Sequence, residues 1–343
     1  MESSSPSIDP LPKSSSSFQE WLNIPSDPPS SSTKYQTTSL VQCLDPQAYV
    51  NEFWEQKTRP DGRIFSQGRA TQVVYGMLKH SAGSALVSSN SGGTKIMAAT
   101  TFNIGQPSPE QPDEGEVVVQ VSGTGGRNVG ADSKSQQQQH YWDVLQSWLQ
   151  RTLEQDESMA QSLNLLTGKA CLRLVITVIV LEDNGNVKDA ALLACMAAWK
   201  DTRLPRVGKD LTEVQGKLWW KQGTRPITSL VDDDTGAEEK MKEGDNNNNS
   251  DHQDAAAQRR DYRISLTMGI WVHPKDQTTH LLADPSTCEE PFLEGNLTIV
   301  VDLNTEKLQV DYTGKAPGLT ANDLALAAKL ARARAKEVTS ILS

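Results

Sequence analysis

The chain is predicted to be α+β. Two successive sets of short β-rich runs are each followed by a segment whose apolar residues recur at helical spacing, and one run, Leu172 to Leu181, is almost unbroken in Leu, Val and Ile. An apolar run of that length between turn residues suits a strand buried on both faces. Strands and helices grouped in this way cover one another around one core, which excludes both an all-helical bundle and a pure sandwich.

In the first set, Thr71 to Leu78, Ser84 to Ser88 and Lys95 to Phe102 read as strands, punctuated by Gly83 and by Gly92-Gly93, and Glu116 to Val121 continues the sheet. Tyr141, Trp142, Leu145, Trp148, Leu149 and Leu153 then form one helical stripe, whose aromatics belong to the core rather than to base stacking. In the second set the central strand ends at Asp183-Asn184-Gly185. Ala190 to Trp199 is small and apolar on nearly every side, as a helix wedged between layers would be. Tyr262 to Val272, His280 to Ala283, Leu297 to Asp302 and Lys307 to Tyr312 supply further strands. A last helix begins near Ala321, with Thr320 as N-cap and Asp323 in the capping-box position. It carries Lys329, Arg332, Arg334 and Lys336, which read as partners of the helix dipole or, alternatively, as an RNA-facing stripe.

Residues 1–38 are dominated by Ser, Pro and Thr and lack the apolar surface to offset the entropy of ordering, so a disordered tail is expected. Residues 39–343 are expected to form the folded domain, interrupted by a polar tract at about 129–139 and an acidic disordered insert at about 232–258. Between Asp232 and Asp254 there are nine acids and two lysines, so seven of the chain's ten net negative charges sit there. The remainder is close to neutral, which excludes a uniformly basic nucleic-acid binder but permits a local basic path.

Cys43, Cys171, Cys195 and Cys288 show no metal-ligand or disulfide spacing, and Cys171 and Cys195 lie in apolar runs as buried hydrophobes. The histidines are scattered without triad or ligand spacing, and no Gly-x-Ser-x-Gly elbow occurs. Neither metal nor cofactor is expected. The opening residues show no signal-peptide pattern and no apolar run approaches a membrane span, so an intracellular setting is expected.

The most informative stretch is Arg59-Pro60-Asp61-Gly62-Arg63, then Ala82-Gly83-Ser84-Ala85-Leu86-Val87, then Gly92-Gly93-Thr94-Lys95 and its strand. This order resembles the amino-terminal signature of the RNase PH-like family. Just upstream, Leu44 to Phe53 looks like the helix that introduces the non-catalytic ring subunits of the eukaryotic RNA exosome, and the resemblance continues in patches to the carboxyl end. It implies the duplicated strand-and-helix fold of the ribosomal protein S5 domain 2-like class.

Phosphorolytic members of the family use inorganic phosphate to attack the terminal internucleotide bond. That chemistry needs an anion pocket of backbone N–H groups, hydroxyls and arginine at a helix start, and carboxylates near the leaving oxygen. Catalytic relatives carry a Gly-Gly-Thr-Arg-Thr-Ala-Ser type of run after the central strand. Here the corresponding run is Glu182-Asp183-Asn184-Gly185-Asn186-Val187-Lys188-Asp189-Ala190-Ala191, without the arginine and hydroxyls. Asp189 is expected to repel phosphate, with Lys188 a partial offset. The paired aspartates of catalytic relatives fall, without gaps, on Leu282 and Cys288, while Asp284 remains in an Asp-Pro-Ser turn before Glu289-Glu290. Gly223-Thr224-Arg225 imitates the phosphate triplet by chance, in what is expected to be a loop.

The resemblance therefore implies a non-catalytic ring subunit with degenerate positions Val187, Lys188, Asp189, Leu282 and Cys288. It would form a heterodimer with another RNase PH-like subunit in a six-membered ring under S1/KH cap subunits, in the nucleus, nucleolus and cytoplasm, serving rRNA maturation and mRNA turnover. RNA would be met weakly in the channel. Arg127, in the loop Ser122 to Asn128, is the first candidate contact; Arg59 and Arg63 are further ones, although a structural role is the favoured reading for them and for Arg69. Two rivals stand beside this expectation: an active phosphate-dependent 3′–5′ exoribonuclease, and an adaptor that recruits partners through the acidic insert.

Overall fold

A computed structural model describes residues 42, 44–89, 93–123, 134–154, 160–161, 163–210, 217–226, 262–315 and 319–342. The Ser/Pro tail, Arg127, the start of the polar tract and the acidic insert lie outside the described residues.

Residues up to Pro60 and residues from Asp61 onward form two units. In the first, helix α1 spans Pro46–Glu55, later by two residues than the sequence suggested at each end. Its start is set by Asp45, whose carboxylate accepts from the Ala48 N–H at 2.9 Å, and by Pro46, whose missing N–H costs nothing in the first turn. Arg59, at the end of this unit, is buried.

The second unit is built on two large sheets. The six-stranded sheet runs β1 (Thr71–Tyr75), β2 (Gly83–Ser89), β3 (Lys95–Gly105), β6 (Ala170–Glu182), β4 (Glu116–Gly123), with β5 (Asn164–Leu166) also on β6. Strand β6, the apolar run, is antiparallel to β3 and parallel to β4, so it sits centrally as its composition requires. The four-stranded antiparallel sheet has the order β10 (Thr279–Ala283), β9 (Arg263–Val272), β11 (Gly295–Asp302), β12 (Leu308–Gly314). Strands β7 (Arg203–Asp210) and β8 (Lys217–Pro226) pair only with each other.

Among the described residues three long helices pack on these sheets. Helix α2 (Lys134–Glu154) lies on β4 and buries Trp142, Leu145, Trp148, Leu149 and Leu153. It starts earlier than the apolar stripe because Lys and Gln are good helix formers, so the turn and a half of polar residues propagates from the packed part. Helix α3 (Val187–Asp201) is wedged between β2 and β3 on one side and β9 on the other, and nearly all of its residues are buried. Helix α4 (Ala321–Leu342) packs on β9 and β11, with Ala327, Ala331, Ala335, Val338 and Leu342 inward. The expected capping box forms: the Asp323 N–H donates to Thr320 Oγ1 and the Thr320 N–H donates to Asp323 Oδ2.

Two expectations need correction. Strand β1 ends at Tyr75 because Gly76 turns left-handed, at φ +69°, where the chain leaves the sheet. Gly223-Thr224-Arg225 lies in strand β8, not a loop, because the β-forming Leu218-Trp219-Trp220 run initiates a strand that β7 completes.

Burying α3 under β2 requires close backbone approach at its end. A Cβ on Gly83 would stand 2.5 Å from the Thr202 backbone nitrogen and 2.7 Å from the Ala198 carbonyl. Gly83→Ala is expected to cost about 2 kcal/mol, measured as a lower urea midpoint at unchanged slope.

Candidate functional site

The positions that would carry phosphorolysis converge where α3 begins. The turn before the helix is held by Thr94, whose Oγ1 donates to the Gly185 carbonyl at 2.6 Å and accepts from the Asn184 N–H at 3.1 Å. Gly185 has φ +89°, and a Cβ there would stand 2.6 Å from the Ser286 carbonyl carbon and the Thr287 nitrogen, so this turn presses directly on the one after β10. Asn186 follows at φ 51°, a left-handed conformation that asparagine tolerates better than most residues.

The amide of the N-cap Asn186 and the amide before it are turned to the protein's own carboxylates. The Asn186 N–H donates to Glu290 Oε1 at 2.8 Å, and the Gly185 N–H donates to Asp183 Oδ1 at 3.1 Å. A helix start attracts anions because its N–H groups lack intrahelical acceptors and its dipole is positive there. Those two N–H groups already have acceptors.

Asp189, expected to repel phosphate at this helix start, shares the Asn186 side-chain amide with Asp284 and is held by donors of its own. Its Oδ1 accepts from Ser265 Oγ at 2.7 Å and Thr267 Oγ1 at 2.9 Å, and its Oδ2 from the Thr267 N–H at 2.7 Å and Asn186 Nδ2 at 2.8 Å. All four donors are uncharged, so burial pushes its carboxyl above the usual range in spite of them. Asp189 ties α3 to β9. The carboxylates that meet the amides just before the helix are Glu290, at the N-cap Asn186, and Asp183, at Gly185.

Asp284 occupies the facing turn, left-handed at φ 53° and buried. Its Oδ1 accepts from Arg69 NH2 at 2.7 Å and Asn186 Nδ2 at 2.8 Å; its Oδ2 accepts from the Arg69 backbone N–H at 2.7 Å and Nε at 2.9 Å, with Arg63 NH1 at 3.4 Å. Burial would push this carboxyl up, but Arg69, by hydrogen bonds and charge, outweighs it and holds Asp284 down at about 2. Arg69 also donates to the Asn184 and Gly185 carbonyls, and Arg334 from α4 donates to the Arg69 carbonyl at 3.0 Å. The result is one buried knot joining the 63–69 loop, the turns before α3 and after β10, and α4.

Arg63 belongs to the same knot. Its Nε donates to Asp61 Oδ2 at 2.7 Å and its NH1 to the Gln67 and Asp284 carbonyls. Val187 is buried in the core, and Leu282 is fully buried within β10 opposite Gly269. Lys188 reaches Asp311 Oδ2 at 3.2 Å and lies 5.4 Å from the Trp148 ring centre. Cys288 is exposed beside Glu289, which is buried and accepts from the Ser286 N–H and Oγ at 2.8 Å. Cys171 and Cys195 are buried, and burial pushes the Cys195 thiol up to about 12. The cavity left beside Asn186, Asp189, Asp284 and Arg334 is ≈ 30 Å³, room for water and not for a nucleotide. Among the described residues no cluster of three or more His, Cys, Asp or Glu is placed to hold a metal ion. No helix among them is long and apolar enough to cross a membrane.

Sequence reasoning found the turns at Gly185 and Asp284 but missed Arg69 as the partner of Asp284, and missed Glu290 as the acceptor for the Asn186 amide. Both pairs are distant in sequence. The only signal within reach was the coincidence of an unpaired Asp-Pro turn with arginines in the 59–69 segment.

These two sheets and their wedged helix define an RNase PH-like α+β fold, with a six-stranded mixed and a four-stranded antiparallel sheet. Residues 67–205 match the RNase PH family model, described as the 3′ exoribonuclease family, domain 1. Two archaeal relatives are both described as exosome complex component Rrp42. The one from Pyrobaculum aerophilum is 33% identical over 45% of this chain and 55% of its own length. That from Pyrococcus furiosus is 22% identical over 86% of this chain and 91% of its own length. At the higher identities the chain spans little more than half of its relatives, 55% to 63%. Among solved structures, the Archaeoglobus fulgidus exosome with RNA bound to the active site contains a chain of the same fold. Its TM-score is 0.63 at 19% identity, covering 89% of this chain and 99% of that one.

Proposed function

We propose that this chain is a non-catalytic structural subunit of an RNA exosome ring, of the ribosomal RNA-processing protein forty-three type, supporting 3′–5′ RNA processing and degradation as scaffold and channel wall. The observation that carries the reading is at the start of α3. The amides of the N-cap Asn186 and of Gly185 before it already donate to Glu290 and Asp183, Leu282 and Cys288 stand where catalytic relatives carry paired aspartates, and Asp284 between them is bonded to Arg69. A phosphate would have to displace an anion and then stand beside it.

Ring membership draws support from the Rrp42 relatives and from the sheet edges. Among the described strands β1 and β12 are edges, and they leave Val74 on one side and Val310 and Tyr312 on the other, all at least 40% exposed. Apolar side chains on unpaired edges mark surfaces that a neighbouring subunit covers. In this reading the chain pairs with another RNase PH-like subunit, closes a six-membered ring, sits under S1/KH caps, and serves rRNA maturation and mRNA turnover in the nucleolus, nucleus and cytoplasm.

The test is to give the full chain, alone and with its RNase PH-like partner, labelled RNA and inorganic phosphate. No nucleoside diphosphate release attributable to this chain is expected, and native mass measurement should show the hetero-oligomer. Phosphate-dependent release by the chain alone would establish the enzyme reading instead, and a stable monomer that ignores its partner would remove the ring.

A further inference from the structure

The cations of the last helix lack the explanation that their place in the sequence suggested. Helix α4 runs on to Leu342, and its last turn contains no basic residue. A helix dipole favours cations only within about the last turn. Lys329, Arg332 and Lys336 all lie upstream of it, exposed, at the i, i+3, i+7 spacing that aligns side chains on one face. Arg334, by contrast, faces inward to the Arg69 carbonyl and Thr71 Oγ1 and pairs with Glu337 at 2.9 Å.

Among the described residues Lys329, Arg332 and Lys336 have neither an ion pair nor a hydrogen bond of the side chain. The outward face they share continues through Ala325, Ala333 and Ser340, and the nearest carboxylate, Glu337 at its border, is paired with Arg334, in a chain whose formal charge is -10. Like charges at this spacing weaken the helix that carries them. The row spans about 10 Å along the helix axis, and the side chains between the cations are small, which lets an extended backbone approach closely.

We infer that the Lys329–Arg332–Lys336 face of α4 is a sequence-independent docking surface for the phosphodiester backbone of single-stranded RNA. An acidic protein surface has the same charge, but protein interfaces are anchored by large apolar or aromatic side chains in their centre. Alanine and serine fill the positions between and beside the cations here, and the exposed Leu326 lies one turn before them at the border of the face. The inference rests on the RNA-handling reading above, but not on membership of a ring.

The experiment measures binding of a short, unstructured, fluorescein-labelled RNA to the full chain by anisotropy, between about 50 and 200 mM salt. Three phosphate contacts to a single strand give a log–log salt slope of about −2, so affinity should fall roughly 20-fold across that range. The triple variant Lys329→Gln/Arg332→Gln/Lys336→Gln should bind about tenfold more weakly at the lower salt and lose about two units of slope. Its melting temperature should be no lower than that of the parent, because all three side chains are exposed and their mutual repulsion is relieved. Unchanged affinity and slope in the variant would overturn the inference, as would no RNA binding by the parent chain. A variant that keeps its RNA affinity and slope but no longer joins its RNase PH-like partner in native mass spectra would overturn it in favour of a protein interface. A parent chain that binds RNA through this row yet joins no partner would leave the inference standing and remove the ring.

Discussion

Asp284→Ala is expected to destabilise the chain by about 3–5 kcal/mol, the cost of leaving a buried cation without its partner. Arg69 loses two side-chain acceptor contacts and the acceptor for its own backbone N–H, Arg63 loses a contact, and Asn186 loses half of its donor pairing. Asp284→Asn should be nearly as damaging, since an amide keeps the size and removes the charge that faces two guanidinium groups. The same pair makes the fold sensitive to acid. The folded carboxyl sits at about 2, below its ordinary ~3.9. Its contribution is therefore complete above about pH 5 and is lost as pH falls through 2, and nearly two units of depression correspond to about 3 kcal/mol. Urea unfolding of the parent at pH 7, 4 and 2.5 should show that loss, and in Asp284→Asn the corresponding part of the acid sensitivity should be gone. A variant whose midpoint matched the parent at pH 7 would show that the knot does not hold the turns together.

How much of this was legible in the sequence follows from the range of each interaction. Strand β6 and helix α3 could be read because their apolar character is local and covers every side. The cap of α4 was visible because Thr320 and Asp323 are three residues apart. The hairpin of β7 and β8 was not, since its first strand contains Pro205 and Gly208, which read as loop until the partner strand is known. At the site, the loss of arginine and hydroxyls after β6 was plain from residue identity. What replaced them was not: the Asn186–Glu290 bond spans 104 residues and the Arg69–Asp284 pair 215. Asp189 shows the same limit, because a carboxylate in the first turn of a helix ordinarily serves the dipole, and only the position of β9 turns it into a bridge.

That bridge behaves oppositely to the Asp284 knot. Asp189→Ala is expected to cost about 3 kcal/mol, by stranding the Thr267 N–H and the Ser265 and Thr267 hydroxyls beneath α3. Asp189→Asn should cost far less. The two hydroxyls that meet Oδ1 can rotate to accept from the new amide, while its oxygen receives the Thr267 N–H and Asn186 Nδ2. The pH dependence supports the distinction. A carboxyl whose folded value is raised by burial favours the fold fully below its unfolded value near 4, and that advantage is lost as pH rises through the folded value. Asp189→Asn cannot ionise, so relative to the parent it should gain stability from about pH 4 upward, opposite in sign to Asp284→Asn. Chemical unfolding of the two amide variants across pH 3 to 8 makes the comparison within one protein. If Asp189→Asn proved as damaging as Asp284→Asn at neutral pH, Asp189 would have to be meeting a cation rather than four neutral donors.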